Sequence, residues 1–338
     1  MKLGKTALLV VVGVAAARVL RRKKREAPPG SEETGEILRG SRVARALDPF
    51  SHLDIGAPVP PPLPEGRVVS VPGRGEMFVR TLGDGPGIPV LLLHGWMASA
   101  DLNWYRLYEE LAGERPVIAC DHRGHGRGIR SPHRFTLEAC ADDAAALLEM
   151  LGIERAIVVG YSMGGPIATL FAARHPEKAA GLVLEATALE WHESRFERAR
   201  WRLMGVLSVM LRWQAGRLML ARIMGDTGEV SDVILEHRSW LEGEFRRSDP
   251  SDLADAGRAL SRYDGRPQIA QVSCPIAVVI TTSDTLVPPH KQRVLADAAD
   301  AEVFEFDGDH DSAIVHSEGF AKVTQEAINS VAEPASPR

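Results

Sequence analysis

Cysteine is scarce in this chain. There are three in 338 residues, Cys120, Cys140 and Cys274, too scattered to frame disulfides or to gather around a zinc ion. Cys120 and Cys274 end apolar runs, where a small buried thiol fits, and this usage favours a reducing compartment. Charge of one sign is lacking as well. Lys and Arg number 40 against 45 Asp and Glu, a net charge of −5, so nothing calls for nucleic acid as a partner. A run long enough to cross a bilayer unaided is also missing. The most apolar stretch, Thr6 to Leu20 (TALLVVVGVAAARVL), would reach about 22 Å as a helix against roughly 30 Å of hydrocarbon.

What stands around that stretch gives it a meaning. Lys2 and Lys5 precede it and RRKKR, Arg21 to Arg25, follows it. Snorkelling by Lys5 and Arg18 extends its reach. The expectation is an uncleaved membrane anchor over residues 6–20, with the basic flank and everything after it on the cytoplasmic side. A helix lying on the membrane surface is one alternative. An exported protein with a cleaved signal is another: Ala15 and Ala17 suit a cleavage site, whereas basic residues directly after it do not. From Glu26 the chain is rich in Pro, Gly and charge (APPGSEETGE, APVPPPLPEG) and reads as a linker, with LDPFSHL expected to pack onto the domain.

From Arg67 the pattern settles into alternation. RVVSV and EMFVRTLG read as strands joined by the turn PGRG. IPVLLLHG (strand), LNWYRLYEELAG (helix), RPVIACD (strand) and TLEACADDAAALLEMLG (helix) follow. AIVVG and AAGLVLEAT flank a helix in GGPIATLFAARHP. CPIAVVITTSD, PHKQRVLADAA, AEVFEFDGD and a closing helix from His316 complete the series. Such alternation builds an α/β fold, a mostly parallel central sheet with helices on both faces. The interruption between Thr187 and Pro267 has no strand-like pattern. It is rich in Arg, Met, Leu and Trp, including Trp201 and Trp213, and reads as amphipathic helices inserted as a cap. The expected layout is residues 1–25 anchor and basic flank, 26–66 linker, 67–187 core, 188–267 helical cap and 268–333 core again.

In such sheets functional residues lie beyond the carboxyl ends of the strands. Those positions hold His94-Gly95-Trp96, Asp121, Ser162, Glu185, Asp284 and His310. Ser162 stands in VVGYSMGGPIA on a strand-to-helix turn, at a helix N-terminus whose partial positive charge favours an oxyanion. His310 is the candidate base, able to take the serine proton and pass it to a leaving group. Asp284 is the favoured carboxylate to hold the imidazole, with Glu185, which also follows a strand, as the alternative acid. The candidate oxyanion hole is the N–H of Met163 together with that of Trp96. His316 is a rival base but begins the last helix. Asp309 and Asp311 flank His310. Asp121, His122 and His125 in DHRGHG look like metal ligands, yet in one Gly-rich loop they brace the chain, and no metal is expected. His175, in ARHPEK, suits a helix C-terminus.

The motifs LLLHGW, DHRGHG, GYSMGG, TTSDTLVPP and GDHD, in this order, resemble the α/β-hydrolase fold superfamily from about Arg67 to the C-terminal helix. The resemblance implies a Ser162–Asp284–His310 triad and a hydrolase without metal or cofactor, near the esterase, lipase and thioesterase-like members with a helical cap. Relatives that carry an aspartate at the elbow dehalogenate or open epoxides; serine stands here instead. The expected reaction is cleavage of a carboxylic ester or thioester with an apolar or lipid-like acyl group, through an acyl-enzyme on Ser162. Acyl transfer, cofactor-free perhydrolysis and C–C bond hydrolysis use the same motifs and remain alternatives, with a non-catalytic binding protein below them. The expected partner is a small or lipid-like ester substrate. The sequence does not fix the oligomeric state.

Overall fold

The computed structural model describes residues 59–332 apart from 194, 196 and 200–235. The chain enters through β1 (Gly66–Val71) and β2 (Gly75–Leu82), an antiparallel hairpin whose turn is closed by the Arg74 N–H on the Val71 carbonyl (3.0 Å). β3 (Val90–Leu93) follows, then two short helices, α1 (Ala100–Trp104) and α2 (Tyr108–Leu111), and β4 (Val117–Cys120). Next come α3 (Leu137–Met150), β5 (Ala156–Tyr161), α4 (Gly164–Arg174) and β6 (Ala179–Glu185). The described part of the segment before β7 (Ile276–Thr281) holds α5 (Arg238–Arg246), α6 (Pro250–Leu260) and α7 (Arg266–Ile269). α8 (Pro289–Ala299), β8 (Glu302–Phe306), α9 (Ser312–Val315) and α10 (Ser317–Ala332) close the fold.

The strands lie in the order β1-β2-β4-β3-β5-β6-β7-β8. β2 pairs antiparallel with β4, and from β4 to β8 every pairing is parallel. This is an α/β fold with a mostly parallel sheet, as expected. The continuous apolar runs follow from having a core on both faces. In β3, Leu91 and Leu93 point into one layer and Val90 and Leu92 into the other; in β5, Val158 faces the first and Ile157 and Val159 the second. The first layer takes Leu147 and Leu148 of α3, Ile167 and Phe171 of α4 and Leu295 of α8. The second takes Trp104, Tyr108, Leu111 and, from α10, Phe320 and Ile328. Because β4 lies on one side of β3 and β5 on the other, chain direction across the sheet switches there. The loops after β3 and β5 diverge around a crevice.

The segment between β6 and β7 is tied at its base. The Gly265 N–H donates to the Leu189 carbonyl (2.8 Å), and Arg266 pairs with Glu190 (2.6 Å). It also bonds the loop after β4: the Gly126 N–H donates to Ser248 Oγ (3.1 Å) and the Asp249 N–H to the Gly124 carbonyl (2.8 Å). Beneath these contacts runs a buried network of charge. Arg80 of β2 donates to Asp101 Oδ2 (2.8 Å), and Arg127 reaches Asp101 (2.6 Å), Asp121 (3.2 Å) and, at 3.5 Å, Glu244 of α5. The Arg127 guanidinium also lies over the Phe78 ring, 3.6 Å from its centroid. Burial alone would raise the Asp101 carboxyl; the bond from Arg80 and the charge of Arg127 outweigh it and hold the group below the usual range.

Two local expectations are corrected. The single helix expected over 102–113 is split into α1 and α2, because the Leu107 N–H turns back to the Trp104 carbonyl (2.8 Å) in a tighter i→i−3 bond. Every residue of α1 is buried, so it has no solvent face to extend. The closing helix starts at Ser317, and His316 instead caps α9. The expected anchor over residues 6–20, its basic flank, LDPFSHL and most of the linker lie outside the described residues, as do Trp201 and Trp213. Among the described residues no helix is long and apolar enough to cross a membrane.

Replacing Asp101 by Ala leaves the buried Arg80 guanidinium without its carboxylate and takes one of three carboxylate partners from Arg127. The expected loss is about 3 kcal/mol or more of unfolding free energy, read from urea denaturation, as for other broken buried pairs. A loss below about 1 kcal/mol would show the network to be solvated rather than structural.

Candidate active site

The turn between β5 and α4 is built from residues that leave no room for alternatives. A Cβ at Gly160 would run into the Gly164 carbonyl, and one at Gly164 into the Leu93 carbonyl of β3. With helix and sheet this close, the connecting residue must turn sharply. Ser162 takes a left-handed φ of 53°. That conformation costs a serine of order 1–3 kcal/mol and persists only where the surroundings impose it. Here the Ser162 N–H donates to the Glu185 carbonyl (2.9 Å), while the Ser162 carbonyl accepts from the Gly165 N–H (3.0 Å) and Thr187 Oγ1 (2.7 Å). The hydroxyl is thereby lifted above the end of the sheet.

The structure brings three of the sequence candidates together. His310, in the loop after β8, has Nε2 at 3.0 Å from Ser162 Oγ and Nδ1 at 2.8 Å from Asp284 Oδ2. Asp284, in the loop after β7, is itself fixed. Its Oδ1 accepts from the Leu286 (2.8 Å) and Val287 (2.7 Å) N–H groups, and Thr281 Oγ1 donates to Oδ2 (2.9 Å). The Asp284 side chain is fully buried, whereas the imidazole keeps 15% of its surface. With the carboxylate accepting from Nδ1–H, Nε2 carries the lone pair that faces the serine. This arrangement can draw a proton from the hydroxyl and hold the imidazolium that results.

Glu185, the alternative acid, is engaged elsewhere. Its Oε1 accepts from Thr324 of α10 (2.7 Å), and its Oε2 is buried with no hydrogen-bond partner among the described residues. Burial pushes its carboxyl up to about 8, against a smaller opposing effect of the Thr324 bond. His316 is exposed, with its ring against Phe306. The Asp309 carboxylate accepts from the main-chain N–H groups of His310 (2.7 Å) and Thr285 (2.8 Å), which joins the histidine loop to the aspartate loop. His175 caps α4 and faces Asp142 (3.0 Å).

Of the two oxyanion candidates, Met163 caps the N-terminus of α4 and directly follows the serine. Trp96 lies in the turn after β3, next to Gly95, where a Cβ would stand 3.3 Å from the Ser162 Cβ. The DHRGHG loop braces its surroundings. Asp121 accepts from the N–H groups of Ala100 (2.7 Å) and Arg127 (2.7 Å), and His94 Nε2 accepts from the His122 N–H (3.0 Å). Burial lowers His94 to about 4 and His125 to about 3, so both rings are neutral.

Sequence reasoning missed three supports of the triad, although Thr281 stands inside TTSDTLVPP. The Tyr161 hydroxyl donates to the His310 carbonyl (2.6 Å), and Thr281 and Gln292 pack around Asp284. Tyr161 stands inside GYSMGG, where only its adjacency to Ser162 hinted at it.

The family described as alpha/beta hydrolase fold matches residues 88–217. A pimeloyl-[acyl-carrier protein] methyl ester esterase of Chromobacterium violaceum is 30% identical over 265 residues, covering 76% of this chain and 100% of that one. The chain belongs to the α/β-hydrolase fold family, and it is a hydrolase. Among solved structures, a thermophilic esterase from Thermogutta terrifontis superposes with a TM-score of 0.65 at 25% identity, over 80% of this chain and 100% of its own. An enol-lactonase from Burkholderia xenovorans superposes with a TM-score of 0.62 at 25% identity, over 78% and 100%.

The buried Glu185 of this hydrolase makes a pH-dependent prediction. An exposed glutamate in the unfolded chain loses its proton near 4.5, whereas the folded chain keeps it to about 8. Between those values the native state binds more protons, so stability falls as pH rises. Glu185→Gln removes that term, and its thermal midpoint should decline less than that of the wild type between pH 5 and pH 8. Parallel profiles would show that Glu185 ionises normally.

Proposed function

We propose that this hydrolase cleaves a carboxylic ester or thioester through an acyl-enzyme on Ser162. The observation that carries the reading is the unbroken chain from Ser162 Oγ through His310 to Asp284, at 3.0 and 2.8 Å. Ser162 Oγ attacks the substrate carbonyl carbon as its proton moves to His310 Nε2. The N–H groups of Met163 and Trp96 hold the oxyanion. The tetrahedral intermediate then collapses, the bond to the alkoxide or thiolate breaks, and the proton on Nε2 goes to that leaving group. Water enters next, gives its proton to Nε2 and attacks the acyl carbon, and the acid departs as the proton returns to Ser162. Asp284 stays ionised throughout and stabilises the imidazolium.

For the acyl group, the support is the composition of residues 188–267, the proposed cap, whose Met, Leu and Trp suit a flexible apolar chain. Esterase stands in the names of two of the relatives above. The apolar run at residues 6–20 and its basic flank support a bilayer as the source of the ester, with the catalytic part on the cytoplasmic side. The full chain should then pellet with anionic lipid vesicles, and a Leu9→Glu, Val12→Glu double variant should stay in the supernatant.

The decisive assay is hydrolysis of p-nitrophenyl esters from acetyl to palmitoyl. The wild type should turn over, with a preference for medium or long chains. Ser162→Ala should lose about 10⁴-fold or more in kcat, and Asp284→Asn about 10⁴-fold, with the fold unchanged by circular dichroism. Glu185→Gln should retain full turnover. Hydrolysis surviving in Ser162→Ala would overturn the serine mechanism, and short-chain preference would overturn the apolar acyl pocket.

A further inference from the structure

The loop from Gly95 to Ser99 connects β3 to α1 beside the nucleophile, and its shape is not one it would hold alone. Met97 takes a left-handed φ of 66°, costly for a side chain other than glycine. Within the core the Gly95 N–H donates to Asn103 Oδ1 (3.0 Å), the Gly95 carbonyl meets His94 Nδ1 (2.8 Å) and, at 3.3 Å, the Ala98 N–H, and the Ser99 carbonyl accepts from the Asn103 N–H (3.1 Å). Two further bonds tie its flanks to the segment between β6 and β7. The Trp96 indole Nε1–H donates to the Leu253 carbonyl of α6 (2.9 Å), across 157 positions of sequence. Ser99, whose Oγ caps α1 by accepting from the Leu102 N–H (3.1 Å), donates its hydroxyl proton to Glu244 Oε2 of α5 (2.7 Å). Glu244 is itself buried and held by Arg247 (2.7 Å) and Arg127 (3.5 Å), so a fixed carboxylate receives the Ser99 hydroxyl.

From these contacts we infer that the segment between β6 and β7 sets the geometry of the oxyanion hole, with the Trp96 side chain as the positioning residue. The inference rests on the proposed reading, in which the Trp96 N–H is one of the two oxyanion donors. The two anchors bracket the strained Met97, one on each side. Together with the Asn103 and His94 bonds to Gly95 they leave the peptide between Gly95 and Trp96 little freedom to rotate. An oxyanion donor works only if it is aimed before the charge develops, and a displacement near 1 Å costs about 10²-fold in rate. The indole therefore acts at a distance from the chemistry. It touches the loop's outer support, and its main-chain N–H does the work.

The test is Trp96→Phe, which keeps the aromatic body and deletes the donor, in the full chain with a p-nitrophenyl ester as substrate. Phenylboronic acid serves as a second probe, because its adduct with a catalytic serine puts an oxygen where the oxyanion forms. The expected result is a kcat about ten-fold lower, KM within two-fold, and boronate affinity weakened about as much as kcat, a fraction of the full value of one donor. Unchanged kcat and boronate affinity would overturn the inference. So would a raised KM at unchanged kcat, since the indole would then only shape the substrate pocket. Should Trp96→Phe fail to fold, Ser99→Ala removes the second anchor and is read by the same criteria. Failure of the serine reading appears separately, as turnover retained in Ser162→Ala.

Discussion

The close approach of α4 to the sheet governs this molecule. Gly160 and Gly164 allow helix and strands to meet where side chains would collide with main-chain carbonyls, and the connecting residue has no relaxed path between them. Ser162 bears that strain in its left-handed φ. Its hydroxyl consequently stands clear of the sheet and over a helix N-terminus, where an oxyanion is stabilised. The neighbouring loops need only present their residues at the same level. Parallel strands supply that, because β7 pairs with β6 and β8 with β7, and their ends carry Asp284 and His310 to the same edge.

Around this point the fold places its polar groups with a clear division of work. The triad carboxylate is fully buried but surrounded by donors, which keeps it available as an acceptor for the imidazole. Glu185, one strand away, is equally buried with one donor only, and burial pushes it towards the neutral form. Two carboxyl groups at adjacent strand ends thus differ in their hydrogen-bond partners. The Arg80–Asp101–Arg127 network does a third kind of work. It joins β2, α1 and the loop after β4 to α5, so the helices between β6 and β7 are connected to the core through charge as well as through packing.

Much of this was legible in the sequence. Successive apolar residues in VLLL and AIVV announced strands covered on both faces, and the serine, aspartate and histidine each followed such a strand. The order of the motifs identified the family. The legible part was the part that repeats a local pattern. The helix over 102–113 misled because its residues have helical spacing, whereas the i→i−3 turn at Leu107 comes from burial on every side of α1. That Glu185 bonds Thr324, far along the chain on α10, is a contact that no spacing rule reaches. The bonds from Trp96 to Leu253 and from Ser99 to Glu244 are likewise long-range contacts between residues with no motif of their own.

The most direct test of the account is to treat the wild-type chain with a fluorophosphonate ester and locate the adduct by mass spectrometry of its peptides. A strained serine within hydrogen-bond reach of His310 Nε2 should attack phosphorus, expel fluoride and carry the phosphonyl group as a single adduct on Ser162. An adduct on another residue, or none on a folded chain that hydrolyses esters, would contradict the claim that Ser162 is the nucleophile.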